Sequence, residues 1–375
     1  MSENKRTILF ILNRECTFLP PFMTILDCLK DKYSLKVISR ESKDSLLHLQ
    51  KIYANSDVSF LAVSPEENAT DLKTRVTNRI KNVLHVSSQS HKECVRLLEE
   101  TKYDLLWVIH EHTAFEFKEA LQGKKYILSL YELNDHRRDF LEFIKPVIKD
   151  AQEVIVAEYN RACIMRVWLG LDKTPTVIPN KPLNHPLKRY VPNLYQEQLM
   201  GKKIVLYQGY INRSRNIDKV CEAVKDIPEY CIVLMGKGDT SYINELKQKY
   251  PKIIHISFIA PPEHLYVTSW AHIAIVKYDF VYLNAIFCAP NKTWEYTGFG
   301  IPVLGHYIPG LQYTIGQYKA GICTNLDDVE CIKSAITEID NHYEEYSKNA
   351  LVFYNSYDIK ASIESIVENN IRMTK

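Results

Sequence analysis

The chain reads as short, continuously apolar runs separated by longer stretches of helical period. Ile8 to Leu12, Leu35 to Ser39, Val58 to Val63, Asp104 to Ile109, Tyr126 to Ser129, Val154 to Ala157 and Thr176 to Ile178 form a first set of strand candidates. A second set comprises Ile204 to Tyr207, Ile232 to Met235, Ile253 to Phe258, Ile273 to Val276 and Pro302 to Gly305. Strands apolar on both faces and alternating with amphipathic segments predict parallel sheets covered by helices on both sides. Two doubly wound, Rossmann-like α/β domains in tandem account for the repeat of the pattern, and 375 residues suffice for two cores.

Pro175, Pro179, Pro182, Pro186 and Pro192 fall between the two sets, where proline can continue neither a helix nor a central strand. The expected division is a first domain over residues 1–180, a linker over 181–200 and a second domain over 201–357. A closing helix over 358–375 follows, with Ile359, Ile363, Ile366 and Val367 at helical spacing.

Charge changes this picture little. The 47 basic side chains nearly balance the 45 acidic ones, so no global field points to nucleic acid. Nine scattered cysteines without a Cys-x-x-Cys pair argue against a disulfide framework or a zinc site. The apolar run near the N-terminus is too short for a signal peptide, and none approaches the ~20 residues needed to span a bilayer. The expected location is cytoplasmic. One basic amphipathic segment, Leu72 to Val86, carries Leu72, Val76, Ile80 and Val83 on one face, suiting peripheral contact with an anionic membrane or the outer face of a domain.

Candidate chemistry collects where strands end, because ligands of open parallel sheets sit at the carboxyl edge. The first strand of the second set runs into Gly209, Arg213 and Arg215, which suit a diphosphate or a solvated turn. The next ends in Gly236-Lys237-Gly238, where glycines permit a close backbone approach or a plain turn. Beyond Phe258, the backbone at Ile259 is placed to read a nucleobase. In Pro290-Asn291-Lys292-Thr293-Trp294-Glu295, Asn291 is a plausible N-cap, and Lys292 and Glu295 share a helical face, as an ordinary surface pair or as a cation and carboxylate at a ligand edge. In the first half, His110-Glu111-His112 and Tyr131-Glu132-Leu133-Asn134-Asp135 end strands, making Glu111, Glu132 and Asp135 candidate general bases or braces of the sheet edge. No Asp-x-Asp pair ends a strand, so no metal-bridged diphosphate is implied.

The stretch Pro290-Asn291-Lys292-x-x-Glu295-Tyr296-x-x-x-Gly300-x-Pro302-Val303 resembles the donor signature of GT-B glycosyltransferases, especially bacterial family 4 enzymes of surface-polysaccharide synthesis. The resemblance extends over Gly209 to Asp218, Gly236 to Gly238, Phe258 to Glu263 and Val177 to Asn180. It implies a nucleotide-sugar donor domain in the C-terminal half, an acceptor domain in the N-terminal half, and a C-terminal helix that returns to the latter. It further implies that Glu295 holds the donor ribose, that Arg215 and Lys292 face the diphosphate, and that Asn291 lies near phosphate or sugar. Sugar transfer to a glycan or lipid-linked acceptor, with retained configuration and without metal or other cofactor, is the expected activity. Should the reaction invert, the three carboxylates of the first half are the candidate bases. The family's second, sugar-contacting glutamate is replaced by Phe287. An epimerase of similar architecture and a non-catalytic nucleotide- or glycan-binding relative are the alternatives.

Overall fold

The computed structural model describes residues 5–65, 88–186 and 193–373. Leu72 to Val86, the basic amphipathic segment, lies outside the described residues. The chain forms two compact units, Met1–Pro179 with Ile359–Lys375, and Asn180–Asp358.

The first unit holds seven strands: β1 (Thr7–Ile11), β2 (Ser34–Arg40), β3 (Val58–Val63), β4 (Leu105–Ile109), β5 (Ile127–Leu130), β6 (Glu153–Val156) and β7 (Thr176–Val177). They pair in parallel in the order β3-β2-β1-β4-β5-β6-β7. β4, Leu-Leu-Trp-Val-Ile, is buried at every position, as a central strand covered on both faces must be. The closing helix Ile359–Met373 packs on helix Pro20–Leu29 and fixes itself through Gln152 Nε2, which donates to Asn370 Oδ1 at 2.8 Å.

The second unit repeats the plan with β8 (Lys203–Gln208), β9 (Tyr230–Met235), β10 (Ile253–Ile256), β11 (Ile273–Val276), β12 (Val303–His306) and β13 (Gly321–Thr324), ordered β10-β9-β8-β11-β12-β13 and again all parallel. Alternate strand residues feed separate cores. Val205, Tyr207, Ile232 and Leu234 pack on one face of the sheet, and Ile204, Leu206, Val233 and Met235 on the other. Both sheets thus reverse their winding beside the first strand, between β1 and β4 and between β8 and β11. A doubly wound sheet opens its ligand crevice at such a point.

Three departures from the sequence reading have physical causes. β13 carries no long apolar run because it is a four-residue edge strand, opened by Gly321 and only half-buried beyond it. The strand expected to reach Phe258 stops at Ile256, and residues 257 and 258 are exposed. Within the stretch read as linker, Asn193–Leu199 forms a helix whose Leu199 is fully buried in the core of the second unit. The nine cysteines are free thiols. No helix among the described residues is long and apolar enough to cross a membrane.

Candidate functional site

In the second unit the carboxyl ends of β8 and β11 bring together side chains from four segments. The helix Asn291–Thr297 supplies Lys292 and Glu295. Asn291 is its first residue rather than its cap: Pro290, in extended backbone at ψ 135°, occupies the N-cap and offers no side-chain hydrogen bond. Lys292 and Glu295 share a helical face without pairing, since both turn to Gln208, the last residue of β8. Lys292 Nζ donates to the Gln208 carbonyl at 3.1 Å. Gln208 Nε2 donates to Glu295 Oε2 at 2.7 Å.

Glu295 is held by more than one donor. His264 Nε2, on the short helix His264–Thr268, lies 3.3 Å from the same Oε2. Burial alone raises the carboxyl's pKa, but the contacts from His264 and Gln208 outweigh it, and the group lies below its ordinary value. Oε1 receives no hydrogen bond from any described residue. The site therefore offers an ionised carboxylate with one oxygen anchored and one free.

Lys292 sits over the rings of Tyr207 at 5.1 Å and Tyr278 at 5.5 Å. Arg215 lies over the same Tyr278 ring at 4.7 Å. Burial, and then the neighbouring Arg215 charge, lower the Lys292 pKa to about 8. Two cations gathered on one ring repel each other, and an anion between them relieves that repulsion.

The other residues singled out from sequence take different places. Arg213 is exposed, stacks over Tyr242 and pairs with Glu245, so it stands apart from the Lys292–Arg215 pair. Lys237 is exposed and lies over Phe258 at 4.9 Å, and Ile259 is partly buried against the core. Gly209 and Gly236 adopt φ of 136° and 145°, which favours glycine. The close approach they permit is of backbone to backbone: a Cβ on Gly236 would stand 2.0 Å from the Gly209 carbonyl oxygen. Sequence reasoning missed Gln208, His264 and Thr268. Position marked only Gln208, at the end of β8; His264 and Thr268 lie on the helix between β10 and β11.

In the first unit, Glu111 is fully buried with both oxygens committed. Oε2 accepts from the Tyr131 amide and Oε1 from Asn134 Nδ2, each at 3.1 Å, so this carboxylate braces the loop after β5. Glu132 is half exposed, 3.9 Å from Arg161 Nη1, and Asp135 is partly exposed in the same loop. Beside them, His110 takes a φ of 81°, rare for any residue but glycine, and its Nδ1 accepts from the His112 amide at 3.2 Å. Burial, followed by the charges of Arg14 and His112, depresses its pKa to about 3. Below the ordinary value of 6.5 the unfolded chain gains a proton that folded His110 refuses, so stability falls with pH by up to ~1.4 kcal/mol per unit until about pH 3. His110→Asn, which keeps a capping acceptor and tolerates positive φ, should flatten this acid limb. Urea midpoints measured between about pH 7 and about pH 5 test it; an equal loss in both proteins refutes it.

Among the described residues no group of three or more His, Cys, Asp or Glu side chains is arranged to hold a metal ion. Two doubly wound parallel sheets in one chain, each winding outward from its first strand, define the GT-B fold class. Anabaena HepE, solved with UDP and glucose, is similar to this chain at a TM-score of 0.72 and 13% identity, covering 98% of this chain and 100% of that one. Sucrose-phosphate synthase from Thermosynechococcus elongatus is similar at 0.64 and 15% identity, over 97% and 99%. WaaG, a glycosyltransferase involved in lipopolysaccharide biosynthesis, is similar at 0.60 and 12% identity, over 96% and 98%. At such identities the likeness establishes the fold. No family model and no curated protein matches the sequence.

Proposed function

We propose that this protein is a glycosyltransferase that moves a sugar from a nucleoside diphosphate donor to a glycan or lipid-linked acceptor in the assembly of a bacterial surface polysaccharide. One observation carries the reading: an anchored carboxylate with a free oxygen, Glu295, stands one helical turn from Lys292, which shares the Tyr278 ring with Arg215, at the reversal point of the second sheet. A ribose hydroxyl suits the first and a diphosphate the second. HepE, a solved protein of the same fold, has been seen with UDP and glucose.

In this reading the protein acts by positioning and by charge. Lys292 and Arg215 take up the charge that develops on the departing diphosphate, with no metal required. With retained configuration no side chain need act as nucleophile; inversion would call for a general base, and Glu111, one candidate, is occupied as a brace.

Incubation with a panel of nucleoside diphosphate sugars and candidate acceptors, with release of nucleoside diphosphate as the readout, tests the activity. Acceptor-dependent release is expected. Conversion of the donor sugar without acceptor identifies an epimerase instead.

Lys292 adds a pH signature. Its ammonium is present below about pH 8 in the free protein and lost above it, while a bound diphosphate holds the proton. Nucleoside diphosphate affinity should therefore weaken about tenfold between about pH 7 and about pH 9. Lys292→Met should bind more weakly and lose this dependence. Calorimetric titrations that stay flat over the interval count against the Lys292 role.

A further inference from the structure

We propose that Gln208, Thr268 and His264 are positioning residues that hold Oε2 of Glu295 and so make Oε1 the oxygen that selects a ribonucleotide over a deoxyribonucleotide. The inference rests on the donor-site reading above and names what gives that site its selectivity.

Gln208 is the joint of the arrangement. Its carbonyl receives Lys292 at 3.1 Å and its Nε2 donates to Glu295 at 2.7 Å, so one strand end sets both the cation and the carboxylate. An amide side chain can present either its NH2 or its oxygen, and only the NH2 can donate to a carboxylate. The ionised Glu295 settles which: it can only accept, so Nε2 faces it and Gln208 Oε1 faces the Thr268 hydroxyl at 2.7 Å, a donor that also lies 3.0 Å from the His264 carbonyl. Thr268 is fully buried, at the end of the helix that begins with His264.

His264 supplies the second constraint. It is 93% buried by its 7% exposure, and its Nδ1 has no hydrogen-bond partner among the described residues. A proton on Nδ1 would be a buried donor with nothing to receive it, whereas a bare Nδ1 is an acceptor lacking a donor, the lesser penalty. The proton therefore belongs on Nε2, which faces Glu295 Oε2 at 3.3 Å. Two donors fix Oε2 and so the plane of the carboxylate, leaving Oε1 for a hydroxyl. A ligand without that hydroxyl leaves Oε1 unpaired in a largely enclosed site, and unmet acceptors are what make such sites selective.

The test is the ratio of affinities for uridine, guanosine and adenosine diphosphates against their 2′-deoxy forms, measured by calorimetry on the full chain. The wild type should bind at least one ribonucleotide and prefer it to its deoxy form. Thr268→Val keeps the shape but removes the hydroxyl, so Gln208 Oε1 loses its side-chain donor and the amide that anchors Glu295 Oε2 is held less firmly; the preference should shrink about tenfold. Thr268→Ser restores the hydroxyl and should restore the preference. Gln208→Glu places two carboxylates in contact, which must share a proton, so its preference should be lost at neutral pH and return in acid. That pH profile is one that a general packing defect does not produce. It also serves should Thr268→Val fail to fold. No binding of any of the three ribonucleotides by the wild type overturns the donor-site reading itself. Binding with no ribose preference, or a preference equal in wild type, Thr268→Val and Gln208→Glu, overturns this inference alone.

Discussion

Glu295→Ala should weaken nucleoside diphosphate binding about 10- to 100-fold in calorimetric titration, the range expected for losing a charge-assisted contact. Two effects add. The ligand loses the free Oε1, and the donors that converge on Oε2, Gln208 Nε2 at 2.7 Å and His264 Nε2 at 3.3 Å, lose their acceptor. The second effect appears in the protein without ligand as a lowered unfolding midpoint, so the two are separable by measuring midpoint and affinity together. Glu295→Gln fills the same space and keeps one carbonyl oxygen. It should recover most of the midpoint and little of the affinity. Unchanged affinity in Glu295→Ala would remove this residue from the donor site.

A large stability loss is expected at Gly236. A methyl group there would stand 2.0 Å from the Gly209 carbonyl oxygen and 2.9 Å from its carbon, neither of which belongs to a side chain that can swing away. Gly236 also sits at φ 145°, a conformation that L side chains rarely adopt. Strain of about 1–3 kcal/mol and overpacking of a similar size add to about 3 kcal/mol or more for Gly236→Ala. Because β8 and β9 would have to part at their carboxyl ends, the Gly209 N to Met235 O hydrogen bond of 2.9 Å should open with them. Urea unfolding should show the loss, and hydrogen exchange at the Gly209 amide should show where it falls. A midpoint within error of wild type would mean that the exits of β8 and β9 yield more easily than their packing implies. Gly123→Ala, with open space around the added methyl group, is the control for the cost of positive φ alone.

The same residues mark how far the sequence could be read. Lys292 and Glu295 were visible because a helix places residues three apart on one face, a local rule that holds before any tertiary contact forms. Their relation to each other was not visible. Spacing suggests an ion pair, whereas both are claimed by Gln208, 87 positions from Glu295 in the chain. The sequence favours Arg215 over Arg213 for its place at a helix start, but what each meets was not visible: Glu245 takes Arg213, and the Tyr278 ring beside Lys292 receives Arg215. Glu111 reads as a candidate base until its oxygens are found committed to Tyr131 and Asn134. Gly236 reads as room for a ligand, and the room is filled by the neighbouring strand exit.

By itself the sequence determined most of the elements and the class of fold, because hydrophobic periodicity records which positions leave water and is set residue by residue. It also determined that two sheets exist and that their strands are covered on both faces. Strand order, the reversal points beside β8 and β1, and the meeting of Gln208, His264, Thr268 and Glu295 were decided only by the tertiary structure. A hydrogen bond forms through space between a donor and an acceptor that few local preferences foretell. The orientation of one amide, set between a carboxylate and a hydroxyl from distant segments, is the kind of fact that no pattern along a chain contains.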